Sequence, residues 1–99
     1  MKRYPLKLTY ITKTALWGGN TLRQDWGKQS EHDVISESWE LSVRPKEMAC
    51  VIGGEADGLT LLEYLRRAGA DAVSPDWDGE HFPLLIKFID AADTLSVHA

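Results

Sequence analysis

The chain has 99 residues, of which 43% are apolar and 26% charged. That is the balance of an ordinary globular domain, of a size that buries roughly two-thirds of its unfolded surface. The 11 Lys and Arg residues stand against 15 Asp and Glu residues, a net charge of -4 that argues against nucleic acid or an anionic membrane as partner. No apolar run has the length of a signal peptide or a membrane span, so the expected compartment is the cytoplasm. The single cysteine, Cys50, excludes an internal disulfide, and its place between Ala49 and Val51 reads as a buried core thiol.

Taken in order, Leu6, Leu8, Tyr10 and Thr12 alternate with Lys7, Thr9, Ile11 and Lys13, which predicts a strand after Pro5. Trp17-Gly18-Gly19-Asn20 breaks it, since paired glycines favour a turn or a close backbone approach. Thr21 is placed to cap a short helix over Leu22 to Trp26, stopped by Gly27. Lys28 to Asp33 is a polar loop carrying His32, expected in solvent. From Ser38 to Val43 the pattern alternates again, giving a half-buried strand with Glu40 facing water and a turn at Arg44-Pro45-Lys46-Glu47. Met48 to Ile52 is a second apolar run, stopped by Gly53-Gly54, so the two runs suit a hairpin. Thr60 with Glu63 three residues on forms a capping box for an amphipathic helix through Leu61, Leu62, Tyr64, Leu65 and Ala68. Arg66 and Arg67 suit its C-terminal end, and Gly69 ends it. Residues 70–81 read as a loop, and Trp26 and Trp77 as packing residues of core or surface.

The last stretch, Phe82 to Ala91, predicts one buried strand, then a polar turn at Ala92-Asp93-Thr94 and the start of another strand. Lys87 interrupts the apolar run. A buried ammonium is costly, so it either snorkels to an edge or points into an anion-binding pocket. Periodicity supports a mainly β chain with two short helices.

Leu16-Trp17-Gly18-Gly19, then Glu37-Ser38-Trp39-Glu40, then Phe82-Pro83-Leu84-Leu85-Ile86-Lys87-Phe88-Ile89-Asp90-Ala91 followed by Leu95-Ser96-Val97, resemble in the same order the blocks of type I mannose-6-phosphate isomerases. These are zinc-dependent cupin enzymes. The resemblance implies the N-terminal part of a cupin-type jelly roll, with 1–99 forming a portion of the catalytic domain that is incomplete at its C-terminus. It also implies an aldose–ketose isomerisation of mannose 6-phosphate to fructose 6-phosphate, in which a proton moves between C1 and C2. Trp17, Glu37, Lys87 and Ser96 fall where the family lines its sugar-phosphate pocket. Lys87 and Ser96 would donate to phosphoryl oxygens, while Glu37 would hold a sugar hydroxyl or orient Lys87. Read without the family, Glu37 is an exposed strand residue and Trp17 a core aromatic.

The family holds zinc with a Gln-x-His pair directly after the Leu-Ser-Val strand, plus a Glu and a second His farther along. Here Val97 is followed by His98 and Ala99. His98 is therefore the single metal-ligand candidate, at an altered family position, and its other reading is a frayed terminal residue. His32, His81 and His98 are too far apart to form a ligand motif by spacing. The expectation is a chain that binds no zinc tightly and is inactive alone. Two alternatives stand beside it: a noncatalytic sugar-phosphate-binding module, and an assembly fragment that docks onto a separate cupin half. An unfinished β-edge would also favour self-association.

Overall fold

A computed structural model describes residues 4–69, 73–74 and 76–92. The chain divides into two compact units, one of residues 1–11 and 40–86, the other of 12–39 and 87–99. The described elements are short strands with two helices, mainly β as the sequence pattern predicts.

In the first unit, β1 (Lys7–Leu8) pairs antiparallel with β6 (Val51–Ile52), setting Lys7 opposite Ile52 and Leu8 opposite Val51. The expected hairpin forms between β4 (Val43–Arg44) and β5 (Glu47–Met48), with Val43 opposite Met48. It is shorter than predicted, because Met48 to Ile52 is not one strand. After β5 the chain turns to residues 59–61: Leu61 N–H donates to the Ala49 carbonyl at 2.8 Å and Val51 N–H to that of Leu59 at 2.8 Å. The strand predicted after Pro5 is also divided. Thr9 takes Cys50 with both groups, its N–H donating to the Cys50 carbonyl at 2.8 Å and its Oγ1 accepting from Cys50 N–H at 2.9 Å. Cys50 is half-buried rather than buried, while Ala49 and Val51 beside it are fully enclosed.

Helix α2 (Leu61–Ala68) closes this unit over Ala49, Val51, Ala56, Leu61, Tyr64 and Leu65, with Leu6, Leu8 and Trp77 packed partly against them. Its N-cap is as predicted, Thr60 Oγ1 accepting from Glu63 N–H at 3.1 Å. The Glu63 carboxylate turns instead to Arg67, 3.0 Å away one turn on. Gly69 ends the helix at φ 95°, a conformation that side chains rarely adopt.

The second unit is built on a sheet of β2 (Ile11–Lys13), β3 (Glu37–Leu41) and β7 (Ile86–Ile89), in the order β2-β3-β7. Ser36, just before β3, joins its segments. Its N–H donates to the Lys13 carbonyl at 2.8 Å, and its carbonyl accepts from Asp90 N–H at 2.9 Å. Its Oγ accepts from Ala15 N–H at 2.6 Å and donates to the Ala15 carbonyl at 3.0 Å. A Cβ on Gly18 would press into this hydroxyl and come within 2.9 Å of Ser36 Cα, so only glycine fits there. Ser36, Ser38 and Ser42 are wholly buried, whereas Glu40 is half-buried and has partners rather than facing water.

Two expectations fail in this unit. Helix α1 spans only Thr21–Gln24, and Thr21 does not cap it with its side chain. The Asp90 carboxylate, from far along the chain, accepts from Thr21 N–H at 2.7 Å instead. The strand expected to be buried is exposed at every position of β7, with Ile86 at 47%, Phe88 at 38% and Ile89 at 50%. Among the described residues β7 lies at the edge of its sheet, and Phe88 finds an aromatic neighbour only in the exposed Trp26, 5.3 Å between ring centres. The turn at Ala92-Asp93-Thr94 and the strand after it lie, beyond Ala92, outside the described residues.

Replacing Ser36 by Ala removes the hydroxyl that accepts from the half-buried Ala15 N–H, whose carbonyl keeps Gly18 N–H as a donor, and should cost about 1–3 kcal/mol in urea denaturation. Thr60→Ala removes one cap and should cost about 1 kcal/mol in the same measurement.

Candidate functional site

Strand geometry puts residues two apart on one face, so Glu37 and Trp39 project together from β3, with β2 on one side and β7 on the other. The indole N–H of Trp39 donates to Glu37 Oε1 at 2.9 Å. The Lys87 ammonium, from β7, reaches the same oxygen at 2.9 Å. Lys87 also lies 5.7 Å from the centre of the Trp39 ring, and Lys13 of β2 lies 4.8 Å from it. A carboxylate, two ammoniums and an indole are thus gathered across three strands, with the Glu37 and Lys87 side chains 20% and 35% exposed.

Partial burial pushes the Glu37 carboxyl upward, but the hydrogen bonds from Trp39 and Lys87 and the charges of Lys87 and Lys13 outweigh it. The net effect holds Glu37 below the ordinary carboxylate range. Lys87 neither snorkels alone nor sits buried without a partner. Its desolvation is offset by Glu37 and by the negative face of the indole. The cluster can donate to an anion through its ammoniums and accept from a hydroxyl through its carboxylate.

Trp17 is half-buried, and its carbonyl accepts from Ala92 N–H at 2.7 Å. Among the described residues its ring makes no hydrogen bond to Glu37 or Lys87. Ser96 and His98 lie outside the described residues. The sequence pattern marks neither Lys13 nor Trp39 as a site residue. The Glu-x-Trp spacing on a strand was the available signal for Trp39, while nothing local marked Lys13.

The two described histidines, His32 and His81, belong to different units. His32 is half-buried in its loop, its carbonyl taken by the Arg23 guanidinium. His81 is exposed in the first unit, its Nδ1 2.7 Å from Asp78 Oδ2. Hydrogen bonds from the His81 backbone, the His81 ring and the Glu80 backbone hold Asp78 low, and Asp78 in turn raises His81. Beside them opens a groove of about 550 Å³ lined by Val43, Arg44, Pro45, Lys46, Glu47, His81 and Phe82. Among the described residues no group of three or more His, Cys, Asp or Glu side chains could hold a metal ion, so they do not fit a zinc centre.

Because the folded state holds Glu37 below its ordinary pKa, its charge-linked stabilisation is complete above the ordinary carboxylate range. It fades as pH falls through the lowered value. The stability gap between the parent chain and Glu37→Gln in urea should therefore be larger at neutral pH than near pH ~3. An equal gap at both would show that the pairing contributes nothing.

No protein-family model matches the chain. The mannose-6-phosphate isomerase of Streptococcus mutans is 33% identical over 93 residues, which cover 94% of this chain and 29% of that protein. ManA, a mannose-6-phosphate isomerase of Bacillus subtilis, is 30% identical over 97 residues, 98% of this chain and 30% of its own. The crystal structure of the mannose 6-phosphate isomerase from Bacillus subtilis superposes with a TM-score of 0.75 at 32% identity, covering 90% of this chain and 28% of that one. The chain spans about 30% of the length of the curated relatives it matches. In sequence and in fold, nearly all of this chain is similar to a part of the mannose-6-phosphate isomerases.

Proposed function

We propose that the chain is a portion of a cytoplasmic, cupin-type mannose-6-phosphate isomerase catalytic domain, and that it supplies the sugar-phosphate side of the pocket. The observation that carries this reading is the cluster on β3 and β7, which joins two of the three blocks shared with the isomerases by a direct contact between Glu37 and Lys87. In this reading Lys87 donates to a phosphoryl oxygen and Glu37 accepts from a sugar hydroxyl, with Ser96 a second phosphate donor and Trp17 a pocket wall. Zinc, which would polarise the sugar oxygens in the family, has no ligand set among the described residues. His98 remains the single ligand candidate, and the 99 residues by themselves are expected to be inactive.

Mannose 6-phosphate should shift the NMR signals of Lys87 and Glu37 at millimolar concentration, and Lys87→Met should weaken that binding about tenfold or more. The purified chain should carry substoichiometric zinc and show no turnover above blank in a coupled isomerase assay. Stoichiometric zinc with turnover would overturn the inactive-alone reading. Binding unchanged in the Met variant would remove Lys87 as the phosphate anchor. The same reading leaves the exposed apolar strand β7 as a pairing edge for a second copy. Light scattering should then give a mass that rises with concentration, and a sharp monomer throughout would count against it.

A further inference from the structure

The Leu16-Trp17-Gly18-Gly19 block is tied by its main chain to both neighbouring segments. Gly18 makes an antiparallel bridge to Ala91, and Gly19 makes one to Ile35. The Trp17 carbonyl accepts from Ala92 N–H at 2.7 Å, so one end of the turn is fixed to the segment that continues β7 beyond Lys87. A pair of glycines leaves the backbone more freedom than other residues do, and one fixed end does not remove it.

Asp90 supplies the other end. Its N–H donates to the Ser36 carbonyl at 2.9 Å, which sets the end of β7 beside the start of β3. Its Oδ2 accepts from Thr21 N–H at 2.7 Å, just past the two glycines. The approach is close. A Cβ on Gly19 would lie 2.9 Å from Asp90 Oδ2 and 3.1 Å from Oδ1, so a side chain there displaces the carboxylate.

We propose that Asp90 is a positioning residue for Trp17: through the Thr21 N–H its carboxylate holds the turn from Trp17 to Thr21 against the end of β7. The proposal rests on the sugar-phosphate reading given above, in which Trp17 is a pocket wall, and deepens it. Asp90 touches no substrate in this scheme. It acts by removing the freedom of the glycine turn, so that the Trp17 side chain starts from a fixed backbone rather than being ordered when the ligand arrives.

The test uses the 99-residue chain with Asp90→Asn, Asp90→Ala and Gly19→Ala, read by NMR at the Trp17 indole N–H and the Glu37 carboxyl and titrated with mannose 6-phosphate. Asparagine keeps an acceptor for Thr21, so Asp90→Asn should leave the Trp17 signal in place and the affinity within about twofold of the parent. Asp90→Ala should move the Trp17 signal and weaken mannose 6-phosphate about three- to tenfold, as for loss of one hydrogen bond. Its Glu37 titration should not change, because residue 90 keeps its N–H bond to Ser36; a general loosening of β7 would move both signals. Gly19→Ala should move the Trp17 signal more in the parent than in Asp90→Ala, where the carboxylate is gone. The positioning role is overturned by an unmoved Trp17 signal in Asp90→Ala, by a Glu37 titration that moves with it, or by an Asn variant as impaired as the Ala one. Equal effects of Gly19→Ala in both backgrounds overturn it too. If Asp90→Ala moves Trp17 yet binds the ester like the parent, Asp90 has no part in the pocket, although the sugar-phosphate reading stands. A parent that responds to neither mannose 6-phosphate nor inorganic phosphate sinks that reading, and Asp90's part in the pocket with it.

Discussion

The Ser36 hydroxyl is the constraint on which the second unit depends. It satisfies both backbone groups of Ala15 while the Ser36 main chain holds Lys13 on one side and Asp90 on the other. A buried hydroxyl is tolerated only when it is bonded, and here the bonding sets which segments lie side by side. Gly18 must lack a side chain because it approaches that hydroxyl, which accounts physically for a glycine in the Leu-Trp-Gly-Gly block. Asp90, held by Ser36 through its backbone, can then spend its carboxylate on the first turn of α1.

Glu37 follows Ser36 directly, so the same anchoring delivers the site. With Lys13 and Asp90 tied to either side of Ser36, strands β2 and β7 flank β3, and their lysines arrive beside Glu37 and Trp39. The low carboxyl pKa and the partnered ammonium are two views of one arrangement. Charge is stabilised where donors converge, although the side chains remain partly in water.

The first unit works differently. Its stability rests on a small apolar core under α2, with the helix fixed at its start by Thr60 and at its end by Gly69. Strand β7 shows the reverse, with Ile86, Phe88 and Ile89 exposed although their composition is that of a core strand.

What the sequence determined by itself was local or carried by motif. The N-cap at Thr60, the hairpin around Pro45-Lys46, the glycine stop at Gly69 and the similarity to mannose-6-phosphate isomerases were all legible, because each depends on neighbours within a few residues or on blocks in order. Glu37 and Lys87 stand out through that similarity, and they meet at 2.9 Å. Only the tertiary structure decided the rest. Asp90 replaced Thr21 as the cap of α1, Cys50 lies half-exposed between buried Ala49 and Val51, and serines filled buried positions on β3 and beside it. Periodicity is blind to such choices, since a hydroxyl or carboxylate contributed from far along the chain can outbid the local residue for the same N–H. Lys13 entered the site for that reason too: its place beside Trp39 comes from the order of the strands, which no local pattern encodes.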